Sequence, residues 1–454
     1  MPLEQGIQPS ILDEFIQAHQ HIKFIRLLWI DFGRTLGGRV MTLRHLRSLA
    51  ADGTFHAIGR AYMCLPDDSC TFYDGDPTLS VGSLRLIPDY RSLKICSWVA
   101  GHASVQCYIG EATATLIEPR VYRFCPRLAL HNAIESARIA AGLNFRVGWE
   151  VEFCVFKRQD SGRLELLQPT PHQASAIRPL EYGMISILDR IVDILDESGI
   201  PVNHYHSENA TAQFELVMGH LPPMEAVDAL VHTQQVIRAV HQDAGLVASF
   251  HPWCSDHGTG MHMHISVAQS STTLHLATED SFLAGMMESI GAICAFGMPI
   301  PVSYKRVGPG KCSTGSYIAW GTLNREVPVR KIEPAHWEVR CVDGLSHPFL
   351  LLASVLAAGT GGVTKAIKLE LGDCNVDPES MTFDELETIG IKESLPTSPF
   401  QAHDKLLDNK ALNEFFGLDL LQTYVTLMQH YQDLLFSIGE TGSVAQDQWL
   451  MERF

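Results

Sequence analysis

The segment VGWEVEFCVF, residues 147–156, decides how the chain is read. Trp149, Val151 and Phe153 alternate with Glu150 and Glu152, and the two-residue period of a strand sends the apolar and acidic sets to opposite faces. Two carboxylates then project side by side, their Cα atoms roughly 6.6 Å apart. That separation lets each acid serve a different ion of a metal pair. Taken alone, the same pattern more often describes a solvated strand face.

GTGMHMHIS, residues 258–266, repeats the alternation: Met261, Met263 and Ile265 oppose His262, His264 and Ser266. A strand keeps both histidines on one face, whereas a helix would splay them. A surface strand, or imidazoles satisfied by hydrogen bonds, is the more common meaning of an isolated H-x-H. Two further stretches extend the acidic series. HYHSENATAQFELVMG (204–219) places Glu208 before a turn and Glu215 in a strand, and HWEVRCVDG (336–344) puts Glu338 and Arg340 on one strand face. If these strands are neighbours, five carboxylates and one imidazole converge, an arrangement intolerable without divalent cations. Oxygen-rich ligation with little nitrogen suits Mg²⁺ or Mn²⁺ better than Zn²⁺.

Outward from this nucleus, residues 11–28 read as an amphipathic helix and LLWIDF (27–32) as a strand. Residues 30–115 form short apolar alternations broken by Gly, Pro and Asp, the pattern of a small β-rich domain. EPRVYRFCPR (118–127) links it to a helix over 127–142. Beyond, strand-like segments alternate with helical ones at 180–198, 223–244, 280–297 and 346–369, with no 20- to 50-residue repeat. The class is α+β, with domains at residues 1–118 and 119–454, a division that suits 454 residues better than a single core.

A net charge of −17 disfavours nucleic-acid or anionic-membrane partners. The balance reverses locally: Lys305, Arg306, Lys311, Arg325, Arg330, Lys331 and Arg340 crowd one segment fit to hold phosphates or carboxylates. SYKRVGPGKCS (303–313) is not a P-loop, because the required first glycine is missing and Cys312 follows the lysine. The 11 cysteines contain no C-x-x-C, which points to reduced thiols and a cytoplasmic setting. The start, MPLEQGIQPSILDEF, has no signal-peptide character, and the longest apolar run, 348–358, is too short to span a bilayer.

In order, these elements resemble the class I glutamine synthetase family. Its patterns G-x-E-x-E-F, E…G-Q-x-E, N-G-[ST]-G-M-H-x-H-x-S, S-Y-K-R-x-x-P-G, N-R-x(4)-R and E-x-R find counterparts at Gly148–Phe153, Glu208–Glu215, His257–Ser266, Ser303–Gly310, Asn324–Arg330 and Glu338–Arg340. The resemblance implies an N-terminal β-grasp domain, a larger domain with its site on an antiparallel sheet, and a homo-oligomeric ring such as a dodecamer of two stacked hexamers. It implies ATP as co-substrate with two or three Mg²⁺ or Mn²⁺ ions per site. Glu152, Glu208 and Glu215 would bind one metal, and Glu150, His262 and Glu338 another. His264, Ser266 and Arg330 would contact the nucleotide, Arg325 and Arg340 the transferring phosphoryl group, and Arg306 with the Gly258 backbone the acid substrate.

Four departures qualify this. Cys312 stands where the family has the glutamate that handles ammonium, His257 replaces the Asn expected to recognise the α-amino end of glutamate, Ala212 replaces a glycine, and His336 an arginine. The family's ammonium-site Asp has only positional candidates, Asp74 and Asp76. Intact metal ligands beside altered amine-handling positions favour ATP-dependent ligation of glutamate, or an analogue, to an amine other than ammonia. Glutamine synthesis itself and a silent structural or sensing ring are the alternatives. A zinc amidohydrolase would carry its H-x-H near the start of a barrel, not past mid-chain.

Overall fold

A computed structural model describes residues 5–64, 81–167, 173–254, 257–269, 275–311 and 313–454. The chain divides into two compact units, Met1–His131 with Thr423–Leu434, and Asn132–Gln422 with Leu435–Phe454. Among the described residues no helix is long and apolar enough to cross a membrane.

The first unit holds a six-stranded sheet of β1 (Phe24–Ile30), β2 (Leu36–Thr42), β3 (His56–Gly59), β4 (Ser83–Pro88), β5 (Lys94–Ile95) and β6 (His102–Gly110). The order is β2-β1-β6-β4-β3, with β5 on β6. β1 and β2 are antiparallel, whereas β1 and β6 run parallel. The helix read over 11–28 is in fact Pro9–Ala18, and β1 already begins at Phe24. Backbone N–H of His19 closes the helix onto Phe15 and Ile16. The following FIRLLWI, rich in branched and aromatic residues, gains partners on both edges as a strand. The helix Leu43–Ala51, capped by the Thr42 side chain, was not legible in that β-rich stretch. At the sheet's end Asp89 is buried between Arg127 (3.0 Å) and Arg91 (2.9 Å).

The second unit is built on a nine-stranded sheet: β7 (Leu143–Arg158), β8 (Leu164–Leu166), β9 (Val202–Ser207), β10 (Gln213–Met218), β11 (Leu246–Ser249), β12 (Met261–Gln269), β13 (Trp320–Thr322), β14 (Val329–Glu333) and β15 (His336–Val339). The order is β13-β14-β15-β12-β7-β10-β9, with β8 and β11 also on β7. Among the described residues of this unit only β13 and β14 pair in parallel. One face is apolar: Trp149, Val151, Phe153, Met261, Met263, Ile265 and Trp337 are all at most 1% exposed. Helices Pro223–Asp243, Leu276–Gly297 and Pro348–Thr364 supply partners for this core. Trp149 Nε1 donates to Ala226 O at 3.1 Å, and Phe282 stacks on Trp337 at 5.6 Å. Burying side chains of this size contributes about 1.5–3 kcal/mol each. A Cβ on Gly285 would lie 2.3 Å from Ala358 O, so glycine sets the close approach of two of these helices. The opposite face of the same strands is polar.

Candidate active site

Register assembles the polar face. Across β7, Glu150 pairs with His262 of β12 and Glu152 with Glu215 of β10. His264 pairs with Glu338 of β15, which in turn faces Arg330 of β14, and His206 of β9 pairs with Glu215. Alternation leaves these side chains on one side of the sheet, so the convergence of acids expected from the sequence is a property of strand order.

Glu150 is held by both histidines: His262 Nδ1 lies 3.2 Å from one carboxylate oxygen and His264 Nε2 3.0 Å from the other. His262 Nδ1 also lies 3.3 Å from Glu338. Glu338 accepts from Arg330 Nη1 at 3.0 Å and from Arg340 Nη1. Glu152 accepts the backbone N–H of Gly260 and the side-chain amide of Gln213, both at 2.7 Å. Glu208 lies 3.0 Å from His206 Nε2.

The charges are unevenly compensated. Burial works to raise Glu150, but hydrogen bonds from His262 and His264 bring its carboxyl below the ordinary range. Burial likewise works to raise Glu338, but Arg340 and His262 override it and bring its carboxyl below the ordinary range. Glu152 is raised by burial. Glu215 is pushed up to about 10 by burial and by the carboxylates of Glu150, Glu152, Glu208 and Glu338. Near neutral pH, a group of acids that forces one member to keep its proton has the charge for divalent cations. Two further features fit metals. His262 Nε2 is buried with no hydrogen-bond partner among the described residues, and Gly260 leaves open the space where a Cβ would lie 2.8 Å from Glu152, 2.9 Å from His262 Nε2 and 3.0 Å from Arg306.

The remaining anticipated residues divide. Arg306 and Arg340 are buried; Arg306 donates to Val342 O (2.8 Å) and Arg340 O (3.3 Å), and Arg340 Nε to Ser313 O (3.1 Å). Gly258 O accepts from Gln213 Nε2 at 3.1 Å. Ser266 is half-buried on the face of His264, while His257 and Arg325 are exposed. His264, anticipated at the nucleotide, stands as near Glu150 as His262 does, and forms with Glu150 and Glu338 a group whose ligand atoms lie within 4.8 Å. Cys312, Asp74 and Asp76 lie outside the described residues. Two departures acquire structural content. His336 Nε2 lies 3.0 Å from His264 Nδ1, adding a second imidazole where the family pattern has an arginine. Ala212 takes a left-handed φ of 54°, the conformation a glycine adopts without cost.

The sequence motifs include Gln213 and Gly260 but give no role to Gln213 as the tie between Glu152 and the Gly258 loop, or to Gly260 as a cradle. Sequence reasoning passed over His204 and His206, although H-Y-H alternates as H-M-H does.

The description "Glutamine synthetase, catalytic domain" matches residues 123–436. Protein fluG of Emericella nidulans is 29% identical over 453 residues, 98% of this chain, and the chain spans 50% of that protein's length. Gamma-glutamylpolyamine synthetase GlnA3 of Streptomyces coelicolor is 31% identical over 401 residues, 84% of this chain and 81% of that one. A solved GmaS/ADP complex shares the fold, with a TM-score of 0.79 at 20% identity over 93% of this chain and 96% of that one.

Proposed function

Because the chain belongs to the glutamine synthetase family, we propose that it is an ATP-dependent carboxylate–amine ligase that joins glutamate, or a close analogue, to an amine other than ammonia. The carrying observation is the polar sheet face, where Glu150, Glu152, Glu208, Glu215 and Glu338 meet two imidazoles with Arg330 and Arg340 beside them.

The first half-reaction transfers the γ-phosphoryl group of ATP to the acid. A carboxylate oxygen bonds to phosphorus as the bond to ADP breaks. In the second, the amine nitrogen bonds to the acyl carbon, phosphate leaves, and the nitrogen loses a proton. Divalent ions, bound when present by Glu152, Glu208 and Glu215 and by Glu150, His262 and Glu338, would supply positive charge to the phosphates. The residues of the chain do the rest. Arg330, Arg340 and Arg325 offer planar donors for phosphoryl oxygens. Gln213 and the Gly260 N–H fix Glu152, and Gln213 links that carboxylate to the Gly258 loop proposed to hold the acid. A pre-positioned donor array needs little reorganisation in the transition state.

The choice of amine rests on Cys312 and His257. A neutral thiol at position 312 cannot hold ammonium as a carboxylate does, and GlnA3 is named for polyamines. The β1–β2 hairpin with β6 parallel to β1 supports a β-grasp reading of the first unit. A ring oligomer in a cytoplasmic setting completes the proposal. Phosphate release measured over a matrix of acids and amines with ATP and Mg²⁺ tests it. Release should require one member of each class, and a protein that neither turns over any pair nor binds nucleotide is a structural member of the family instead.

A further inference from the structure

β9 is an edge strand of the nine-stranded sheet. Its alternation puts His204 and His206 on the face that carries Glu215, with His206 opposite Glu215 and His204 opposite Val217. One ring nitrogen of each histidine and a carboxylate oxygen of Glu215 all lie within 4.8 Å of one another. The two rings are 5.7 Å apart and inclined by 32°. His206 Nε2 sits 3.0 Å from Glu208 and 3.8 Å from Glu215, while its Nδ1 is buried with no hydrogen-bond partner among the described residues. The proposed ligase chemistry uses Glu208 and Glu215 but has no role for either histidine.

This donor set differs in kind from the carboxylate-rich one beside it. Two imidazoles and a carboxylate are a zinc-type set that leaves a coordination position open. Mg²⁺ favours oxygen ligands in octahedral array, whereas Zn²⁺, Co²⁺ and Ni²⁺ accept imidazole readily. A carboxylate against the ring of a ligating histidine, as Glu208 is against His206, orients the imidazole. We propose that His204, His206 and Glu215 form a binding site for a zinc-class divalent cation, and that its occupation inhibits the enzyme by drawing Glu215 away from the magnesium ligands. The inhibitory half rests on the proposed ligase function; the site itself does not.

Cobalt(II), titrated into the full chain in excess Mg²⁺, reads the site through its visible absorption. Because Glu150, His264 and Glu338 also converge, the comparison with His204→Gln is decisive. His204 is exposed on an edge strand, so the variant should fold, as far-UV circular dichroism will show. The unaltered protein should hold a Mg²⁺-resistant, Zn²⁺-displaceable cobalt ion whose affinity His204→Gln lowers at least about tenfold. Absence of that ion, or equal affinity in the variant, overturns the site. Zn²⁺ should suppress amide formation, and His204→Gln should require about tenfold more of it; equal sensitivity overturns the inhibitory role. A protein that binds cobalt in this way but turns over no acid–amine pair with Mg²⁺ alone refutes the ligase reading and leaves the cation site standing.

Discussion

Gly260→Ala tests whether the acidic face is a fitted receptacle. The added Cβ would lie 2.8 Å from Glu152 Oε1, 2.9 Å from His262 Nε2 and 3.0 Å from Arg306 Nη2, where ordinary contact begins at 3.4 Å. Gly260 is not among the positive-φ residues, so the effect is steric and not one of backbone strain. Each neighbour must retreat by about 0.5 Å, a shift on the scale that forfeits much of a contact's dispersion energy. Glu152 cannot do so freely, because the Gly260 N–H and the Gln213 amide both hold it at 2.7 Å. Weakening two such bonds, each contributing about 0.5–1.5 kcal/mol, gives a loss of about 1–3 kcal/mol, the usual range for overpacking. Thermal unfolding of a unit this large should register about 1–2 °C per kcal/mol. The functional cost is larger: displaced ligands should lower Mn²⁺ affinity about 10–100-fold, and turnover about 100-fold. The assays are scanning calorimetry, Mn²⁺ titration and ATP-dependent phosphate release on one preparation. Unchanged melting and unchanged Mn²⁺ affinity would refute the cradle.

Three other outcomes follow from named groups. Glu215, raised to about 10, keeps its proton at neutral pH in the metal-free protein. Mn²⁺ binding should therefore release a proton, and affinity should rise up to about tenfold per pH unit below 10; calorimetry in buffers of different ionisation enthalpy would contradict this by finding no proton released. The extra proton also makes the contribution of Glu215 to metal-free stability fully present below the ordinary carboxylate range and lost as pH rises through about 10. For Asp89 the sign is opposite: burial would raise it, but Arg127 and Arg91 hold it low. Its contribution is thus present above about pH 4 and lost as pH falls through the depressed value. Asp89→Asn, which removes the buried carboxylate that Arg127 and Arg91 share, should cost about 3–5 kcal/mol in denaturant unfolding. Cys312→Glu should improve ammonium use relative to larger amines, and an unchanged amine preference would assign that control to another position.

The legible part of the protein was whatever repeats with the period of a strand. Glu150/Glu152 and His262/His264 could be assigned a face from sequence, and that face is the one observed. What alternation cannot supply is strand order: that β12 and β10 flank β7, and so that Glu215 meets Glu152, is a long-range pairing with no local signature. The helix misplaced over 11–28 failed because Phe24–Ile30 is apolar enough for either element, and only pairing with β2 and β6 decides. Helices beyond residue 369, such as Pro399–Asp408 and Leu418–Ile438, were not anticipated at all. Gln213 stood in the G-Q-x-E pattern without an assigned role, because that role lies in tying Glu152 to the Gly258 loop, two segments far apart in the chain.

Oxygen transfer tests the central claim most directly. With glutamate labelled by ¹⁸O in its side-chain carboxylate, ATP, Mg²⁺ and an accepted amine, the account predicts that one labelled oxygen appears in the released phosphate, because the carboxylate oxygen bonds to phosphorus before the amide forms. Phosphate released without label, or at the same rate when acid and amine are both left out, would contradict it.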